Sequence, residues 1–355
     1  MSGRRPALPW NLALTIARPP GAQRTSSIIP AAARPRGGGS TPDRTGRGLA
    51  LVFLLAALAA LPWTAGTYAL SLGALLLIYM TLAVSYDILG GYAGLMNLGH
   101  SAFFGLGAYA FGIALTRGWP PPAAVVASVA VPLAFAALIS YPIFRLRGAC
   151  FALATFGLIP LLELLALNLG GLTGGSQGFT IPLANRIEVV YYAALVLAAW
   201  TVWVSYRIAH SPLGLALMTI REDEDVARSF GVAPYRHKLR ALLIGAAPAG
   251  LVGAVYAMNL TYLTAEVVLG TEIALVPVTM AVLGGSGTVA GPIVGAVIVT
   301  AVQELLWTRT WYLRLVVYGL LLVLGRLFVP GGLVRLPALR RLLARLGLGE
   351  RIYAR

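Results

Sequence analysis

"YALSLGALLLIYMTLAVSYDIL", residues 68–89, carries a single ionisable side chain, Asp87, near its far end. A helix of this length reaches across the ~30 Å hydrocarbon core of a bilayer. Comparable apolar runs stand at roughly 48–63, 95–116, 123–144, 149–168, 189–208, 239–262, 272–283, 289–307 and 311–328. Hydrophobic residues make up 58% of the chain and charged residues only 11%, where a soluble domain has about a quarter charged. The short alternating segments of a membrane β-barrel are absent. The fold class is therefore all-α and integral to the membrane: a polytopic bundle of about ten transmembrane helices, eight to ten with the short run at 272–283 read as a possible half-helix.

The formal net charge of +15 does not point to nucleic acid, because of where the arginines lie. They gather in the N-terminal tail, at Arg145 and Arg147, from Arg207 to Arg240, and from Arg326 onward. Basic clusters between apolar runs mark cytoplasmic loops. Ten crossings with both termini inside put all of these clusters on the cytoplasmic side of the plasma (inner) membrane. The loops "RGWPPP" (117–122), "GGLTGGSQGFTIPLANR" (170–186) and "TAEVVLGTE" (264–272) fall outside. They are poor in Lys and Arg, and the last two are open to an extracytoplasmic partner. Residues 1–48, rich in Arg, Pro and Gly, read as a disordered basic tail with no signal-peptide core near the start. Residues 49–330 form the membrane domain and 331–355 a basic cytoplasmic tail. Cys150 is the only cysteine, so no intrachain disulfide forms.

No energy-converting or catalytic constellation is present. The only lysine, Lys238, has no glycine loop ahead of it, and a P-loop requires G-x4-G-K-[ST] because its lysine must reach the phosphates. His100, His210 and His237 lack the spacing of a metal site. Catalytic residues, metals and cofactors are accordingly expected to be none. Ionisable residues within spans default to functional candidates. Asp87, Glu266, Glu272 and Glu304 lie near span ends, where solvation is cheap, while Glu163 lies well inside "ALATFGLIPLLELLALNLGG". A stand-alone secondary carrier, the rival reading from another class, would use more deep charge than this.

The most charged stretch is "HSPLGLALMTIREDEDVARSFGVAPYRHKLR" (210–240). Ser211 followed by Pro212 is an N-cap and first-turn pair. Leu213, Leu217 and Ile220 recur at helical spacing. Glu224 can pair with Arg228, Gly231 is a C-cap residue and Pro234 a stop. One or two short amphipathic helices outside the membrane follow, with Ala227 and Gly231 leaving room for close approach. Such a segment suits a protein–protein groove and reads as a coupling loop, 210–238, between the two halves of the bundle. An ordinary solvated loop is the alternative.

"NLGHSAFFGLGAYAFG" (97–112) places Asn97, His100 and Ser101 beside Gly99, Gly105, Gly107 and Gly112. Gly105 and Gly112 are two turns apart with Gly107 flanking, so a helix here has one nearly bare face, suited to close helix packing. The three polar residues read as lining or gating a path. "GGYAG" (90–94) and "GGSG" (284–287) each sit beside a span, one in each half of the chain, and glycine-interrupted segments in corresponding halves point to a translocation site.

Taken together, "ILGGYAGLMNLGHSAFFGLGAYAFG" (88–112), "GLALMTIREDEDVARSFGVAPYRHKLRALLIGAAPAGLVGAVYA" (214–257) and "MAVLGGSGTVAGPIVGAVIV" (280–299) resemble the permease subunits of branched-chain amino acid ABC importers. "LTGGSQG" (172–178) is similar to the external loop of their M-type subunit. The resemblance runs from about residue 70 to 328; the N-terminal tail has no counterpart in it. It implies a heterodimer with a second homologous permease, two cytoplasmic ATPase subunits, an extracytoplasmic solute-binding protein and surrounding lipid, and no nucleic acid. It implies branched-chain amino acids as substrate, with urea or short-chain amides as the alternative within the same type of importer. The family's coupling pattern, E-A-A-x3-G, falls on Asp225, Val226, Ala227 and Gly231, with Asp in place of Glu and Val in place of one Ala. Arg221, Glu222, Asp223 and Glu224 complete the candidate coupling set. Asn97, Gly99, His100, Ser101, Gly105, Glu163, Gly284, Gly285, Gly287 and Gly291 make up the candidate path or packing set.

Overall fold

The computed structural model describes residues 56–64, 66–182, 186–260, 262–307, 331–335 and scattered positions from 316 to 327. The expected tail at 1–48, the first part of the 48–63 run, most of the 311–328 run and nearly all of the C-terminal tail lie outside the described residues. The described elements are α1 (Thr67–Gly90), α2 (Ser101–Thr116), α3 (Pro121–Ile143), α4 (Gly148–Asn168), α5 (Gly170–Thr173), β1 (Phe179–Thr180), α6 (Ile187–Ala209), α7 (Pro212–Glu222), α8 (Glu224–Ser229), α9 (Pro234–Asn259), β2 (Tyr262–Leu263), α10 (Ala265–Leu269), α11 (Thr271–Gly284) and α12 (Ala290–Trp307). Among the described residues, six helical stretches are long and apolar enough to cross a membrane: α1, α3, α4, α6, α9 and the 265–284 stretch of α10 and α11. Two shorter apolar helices, α2 and the one beginning at Ala290, accompany them. The chain is a multi-pass helical membrane protein.

The layering follows from side-chain size. Of the apolar windows of α9 and of the α10–α11 stretch, 67% is buried, against 28% in α3 and in α4, so α9 and α10–α11 are core elements and α3 and α4 face outward. Lipid tails are as apolar as leucine, so helices associate here through close packing rather than hydrophobic exclusion. α9 supplies that packing with glycines. Gly250 lies against the Ser128 carbonyl and Pro132 of α3, Gly253 against the Phe104 carbonyl of α2, and Gly245 against the Ser85 carbonyl of α1. A methyl group at Gly250 or Gly253 would collide with backbone. Outward positions such as Val126, Leu138, Leu153, Leu164, Val196 and Trp203 are exposed, as a lipid-facing shell requires. Hydroxyls within the spans bond to their own helix: Thr81 and Thr201 donate to the carbonyls of Leu77 and Leu197, each at 2.8 Å.

Two expectations are corrected. The helix expected over 95–116 begins only at Ser101, and residues 91–100 are irregular. Gly94 has φ of +69°, a left-handed conformation open to glycine, and the Asn97 side chain accepts the Gly99 amide at 3.1 Å in a local turn. Secondly, Gly105, Gly107 and Gly112 do not form one bare face, because Gly107, two residues on from Gly105, is turned about 200° away from it. Gly105 meets Val268 and Leu269, Gly107 meets Gly250, and Gly112 meets Phe179 and Leu263.

The connections that follow α5 and α9 pair with each other. β1 and β2 are antiparallel, with Phe179 opposite Leu263 and Thr180 opposite Tyr262. At the other end of the bundle the α1–α2, α6–α9 and α11–α12 connections meet.

Candidate functional site

The α7–α8 segment forms from local signals. The Ser211 hydroxyl accepts the Gly214 amide at 3.3 Å and Pro212 occupies the first turn. Asp223 ends α7 in an extended conformation and caps α8, accepting the amides of Asp225 (2.8 Å) and Val226 (3.0 Å). Arg228 donates to Glu224 at 2.8 Å and to Asp225 at 3.1 Å. Gly231, at φ of +81°, turns the chain away from α8. Leu217 and Ile220 are buried, and so is Ala227, which therefore packs inward onto the bundle rather than outward. The outward side of α8 carries Val226 and Phe230, one turn apart.

The amides of Val226 and then Asp225 hold the Asp223 carboxyl below its ordinary 3.8, with Arg147 adding to the effect. A depressed folded value means the cap's contribution is complete above the ordinary carboxylate range and is lost as pH falls through the depressed value. Hydrogen exchange at the Asp225 and Val226 amides is expected to stay slow, once corrected for intrinsic rates, from pH 8 to 5 and to quicken only once pH falls below the ordinary carboxylate value. Asp223→Ala should expose both amides at every pH. Equal protection in that variant would refute the cap.

Two anchors tie this segment to the bundle. Lys238 of α9, buried, donates to Glu224 at 2.5 Å. Arg221 of α7 reaches the α1–α2 connection: its Nη1 donates to the Gly91 carbonyl at 2.8 Å. Its aliphatic stem lies over Gly94 and its guanidinium over Gly287. An exposed ion pair, Arg147 to Asp225 at 3.6 Å, adds little.

Beneath Arg221 the two glycine motifs touch. The Gly287 amide donates to both carboxylate oxygens of Asp87, at 2.9 and 3.0 Å, and any side chain at Gly91 would strike that carboxylate and the Gly287 amide. Asp87 is fully buried, which corrects the expectation of cheap solvation at a span end. Gly284 lies against the Gly291 carbonyl, and Gly291 against that of Gly285, so α11 and α12 meet backbone to backbone. Gly285 and Gly287 both have positive φ.

Asn97, His100 and Ser101 are also buried. The Ser85 hydroxyl lies 2.9 Å from the Leu82 carbonyl, to which it can donate, and 2.8 Å from Nε2 of His100. Tyr86 and Phe103 meet the imidazole edge to face. Gly99 lies against the Thr155 carbonyl of α4. Asn97 borders a narrow crevice with Phe103, Phe144, Phe151, Thr155 and Leu158. Glu163 stands apart from all of these, towards the opposite end of α4, and Glu222 is exposed beside Arg221. The sequence reading missed Asp87 and Lys238 as site residues. The signal was available in each: an aspartate three residues before a double glycine, and a lone lysine 14 residues after Glu224 of the acidic run.

A bundle of apolar helices with glycine-broken connections, and with a polar helical segment pinned across them at one end, defines a membrane permease. The chain belongs to the family described as branched-chain amino acid transport system permease component, which matches residues 68–325. It is 30% identical over 319 residues to the high-affinity branched-chain amino acid transport system permease protein LivM of Escherichia coli K12, across 81% of this chain and 74% of that protein. The corresponding protein of Salmonella typhimurium LT2 is 30% identical over 322 residues, with the same coverage. The autoinducer 2 import system permease protein LsrC of Salmonella paratyphi B is 25% identical over 241 residues, 63% of this chain and 68% of that protein. No solved structure gives a significant match. The chain is thus an ABC-importer permease component and not an enzyme, with ATP hydrolysis on a separate subunit.

Proposed function

We propose that this permease passes branched-chain amino acids, released by an extracytoplasmic binding protein, through a heterodimer it forms with a second homologous permease. Residues 210–238 face the cytoplasm, where each permease engages one of two ATPase subunits. Both termini lie on that side, and the paired outer loops around β1 and β2 face the binding protein. The observation that carries the docking reading is the two-sidedness of α8. Ala227 is buried against the bundle while Phe230 is 79% exposed and Val226 48% exposed. An aromatic side chain held out from an anchored helix, rimmed by Asp225 and Arg228, fits an apolar pocket on a partner.

Copurification with the ATPase subunits, followed by leucine uptake in proteoliposomes with and without ATP, tests the reading. Uptake driven by an ion gradient alone, with no ATPase bound, would overturn it. Phe230→Asp is expected to weaken ATPase association roughly 30-fold, the loss of one aromatic anchor of about 2 kcal/mol, while leaving the membrane bundle intact. Unchanged association in a titration with the ATPase subunit would remove Phe230 from the interface.

A further inference from the structure

The basic side chains at the α7–α8 end of the bundle fall into two groups. Arg147, Arg228 and Lys238 are engaged by the acidic run, Asp225 holding the first two and Glu224 the last two. Arg145, Arg207, Arg236 and Arg240 are exposed at the same end and have no acidic partner among the described residues. Two of these four are held by aromatic rings. The guanidinium carbon of Arg145 lies 4.3 Å from the centroid of Tyr141, and its Nη2 donates to the Tyr141 hydroxyl. That of Arg207 lies 5.2 Å from the centroid of Trp203. With α3 ending at Ile143 and α6 at Ala209, both arginines stand at span ends. Both rings are turned out of the bundle, Tyr141 58% and Trp203 54% exposed, on helices whose outward Leu138 and Val196 are exposed as well. Tyr141 also meets Tyr235 of α9 edge to face, with centroids 6.5 Å apart, and the hydroxyls of Tyr235 and Ser140 are 3.1 Å apart. The ring that carries Arg145 is thereby fixed at the seam of α3 and α9, where Arg236 follows directly and Arg240 one turn later.

We propose that Arg145 and Arg207, each stacked on its ring, bind the phosphate of an anionic phospholipid in the leaflet on the α7–α8 side, with Arg236 and Arg240 adding to the attraction. Tyrosine and tryptophan at span ends sit at the headgroup level, and arginine stems run along apolar surface to bring the charge to that boundary. Stacking fixes a guanidinium through its face and leaves N–H groups on its edge free. Those N–H groups form the two-pronged donor that suits a phosphate. A lipid is the fitting occupant rather than a soluble acidic protein, because the supporting rings point outward with Leu138 and Val196, into the layer of acyl chains. An anionic headgroup is favoured over a zwitterionic one, whose own cation already balances its phosphate.

Native mass spectrometry of the purified protein in detergent, with the subunits that copurify, reads the binding on titration with phosphatidylglycerol or phosphatidylcholine. The parent is expected to prefer phosphatidylglycerol about tenfold or more. An arginine at the membrane surface raises affinity for anionic lipid roughly fivefold, so Arg145→Gln combined with Arg207→Gln should weaken phosphatidylglycerol binding about 25-fold. Phosphatidylcholine binding should stay as in the parent. Tyr141→Leu and Trp203→Leu keep both charges and should each lower the preference about twofold, by releasing the guanidinium from its ring. A parent with no preference, or a double variant that binds phosphatidylglycerol as the parent does, overturns the proposal. Displacement of phosphatidylglycerol by an equal concentration of inorganic phosphate also overturns it, since the arginines would then read a free anion. So does loss of a copurifying subunit from the double variant in lipid-free detergent, which would assign the arginines to a protein contact.

Discussion

Asp87→Leu is expected to cost the folded bundle about 3 kcal/mol and to abolish transport. The carboxylate is fully buried and receives the Gly287 amide on both oxygens, at 2.9 and 3.0 Å. Leucine fills the volume but offers no acceptor, and a buried amide left without one costs roughly 1–3 kcal/mol, more where the lost partner was charged. The geometry also leaves leucine's branched end no room to shift, because Gly91 and Gly287 already touch across the carboxylate. Arg221 lies over the same two glycines, so the segment bearing α7 and α8 would lose its seat as well. Asp87→Asn keeps one acceptor oxygen and nearly the same shape, so its loss should be about half as large. Thermal unfolding of the detergent-solubilised protein, with hydrogen exchange at the Gly287 amide, measures both. If Asp87→Leu matched the parent in both readouts, the junction of the glycine motifs would not depend on this carboxylate.

What could be read from the residues alone depended on how local the deciding physics was. The spans at 68–89, 123–144, 149–168 and 189–208 lie close to α1, α3, α4 and α6, because length and apolarity alone decide whether a segment crosses. The Ser211–Pro212 start, the Glu224–Arg228 pair and the turn at Gly231 were equally legible, each resting on residues within a helical turn of one another. The bond between Asp87 and Gly287 spans 200 positions, and no periodicity carries that information. The start of α2 was missed for another reason. Residues 91–100 are apolar enough to pass for helix, and only the backbone turns at Gly94 and Asn97 break it. The bare face drawn through Gly105, Gly107 and Gly112 holds only for Gly105 and Gly112, seven residues apart, whereas Gly107 is turned about 200° from Gly105 and meets Gly250. Asp87 was judged by its place along the span, whereas its burial is set by what folds over the end of α1.

Glu224→Gln is expected to damage the protein more than Lys238→Met, although each removes one member of the same pair. The Lys238 side chain is 5% exposed and the Glu224 side chain 20% exposed. With glutamine at 224 the ammonium stays buried against a neutral amide, and a buried charge stripped of its partner costs about 3 kcal/mol. With methionine at 238 the cation is gone and the stem's volume is kept. Glu224 then still holds Arg228 at 2.8 Å, and its partial exposure lets water take up the free oxygen, so the cost is about 1 kcal/mol. The consequence for coupling follows the same order. Glu224 lies on α8 and Lys238 on α9, so the pair fixes α8, the helix proposed to dock, to a core helix of the bundle. Glu224→Gln should therefore reduce ATP-driven uptake by more than its lower thermal midpoint alone accounts for. Lys238→Met should retain most of both, and adding it to Glu224→Gln should recover part of the lost stability by removing the stranded charge. If the double variant were no more stable than Glu224→Gln alone, the buried ammonium would not be the source of the cost, and the anchor between α8 and α9 would have to lie in packing around Ala227 instead.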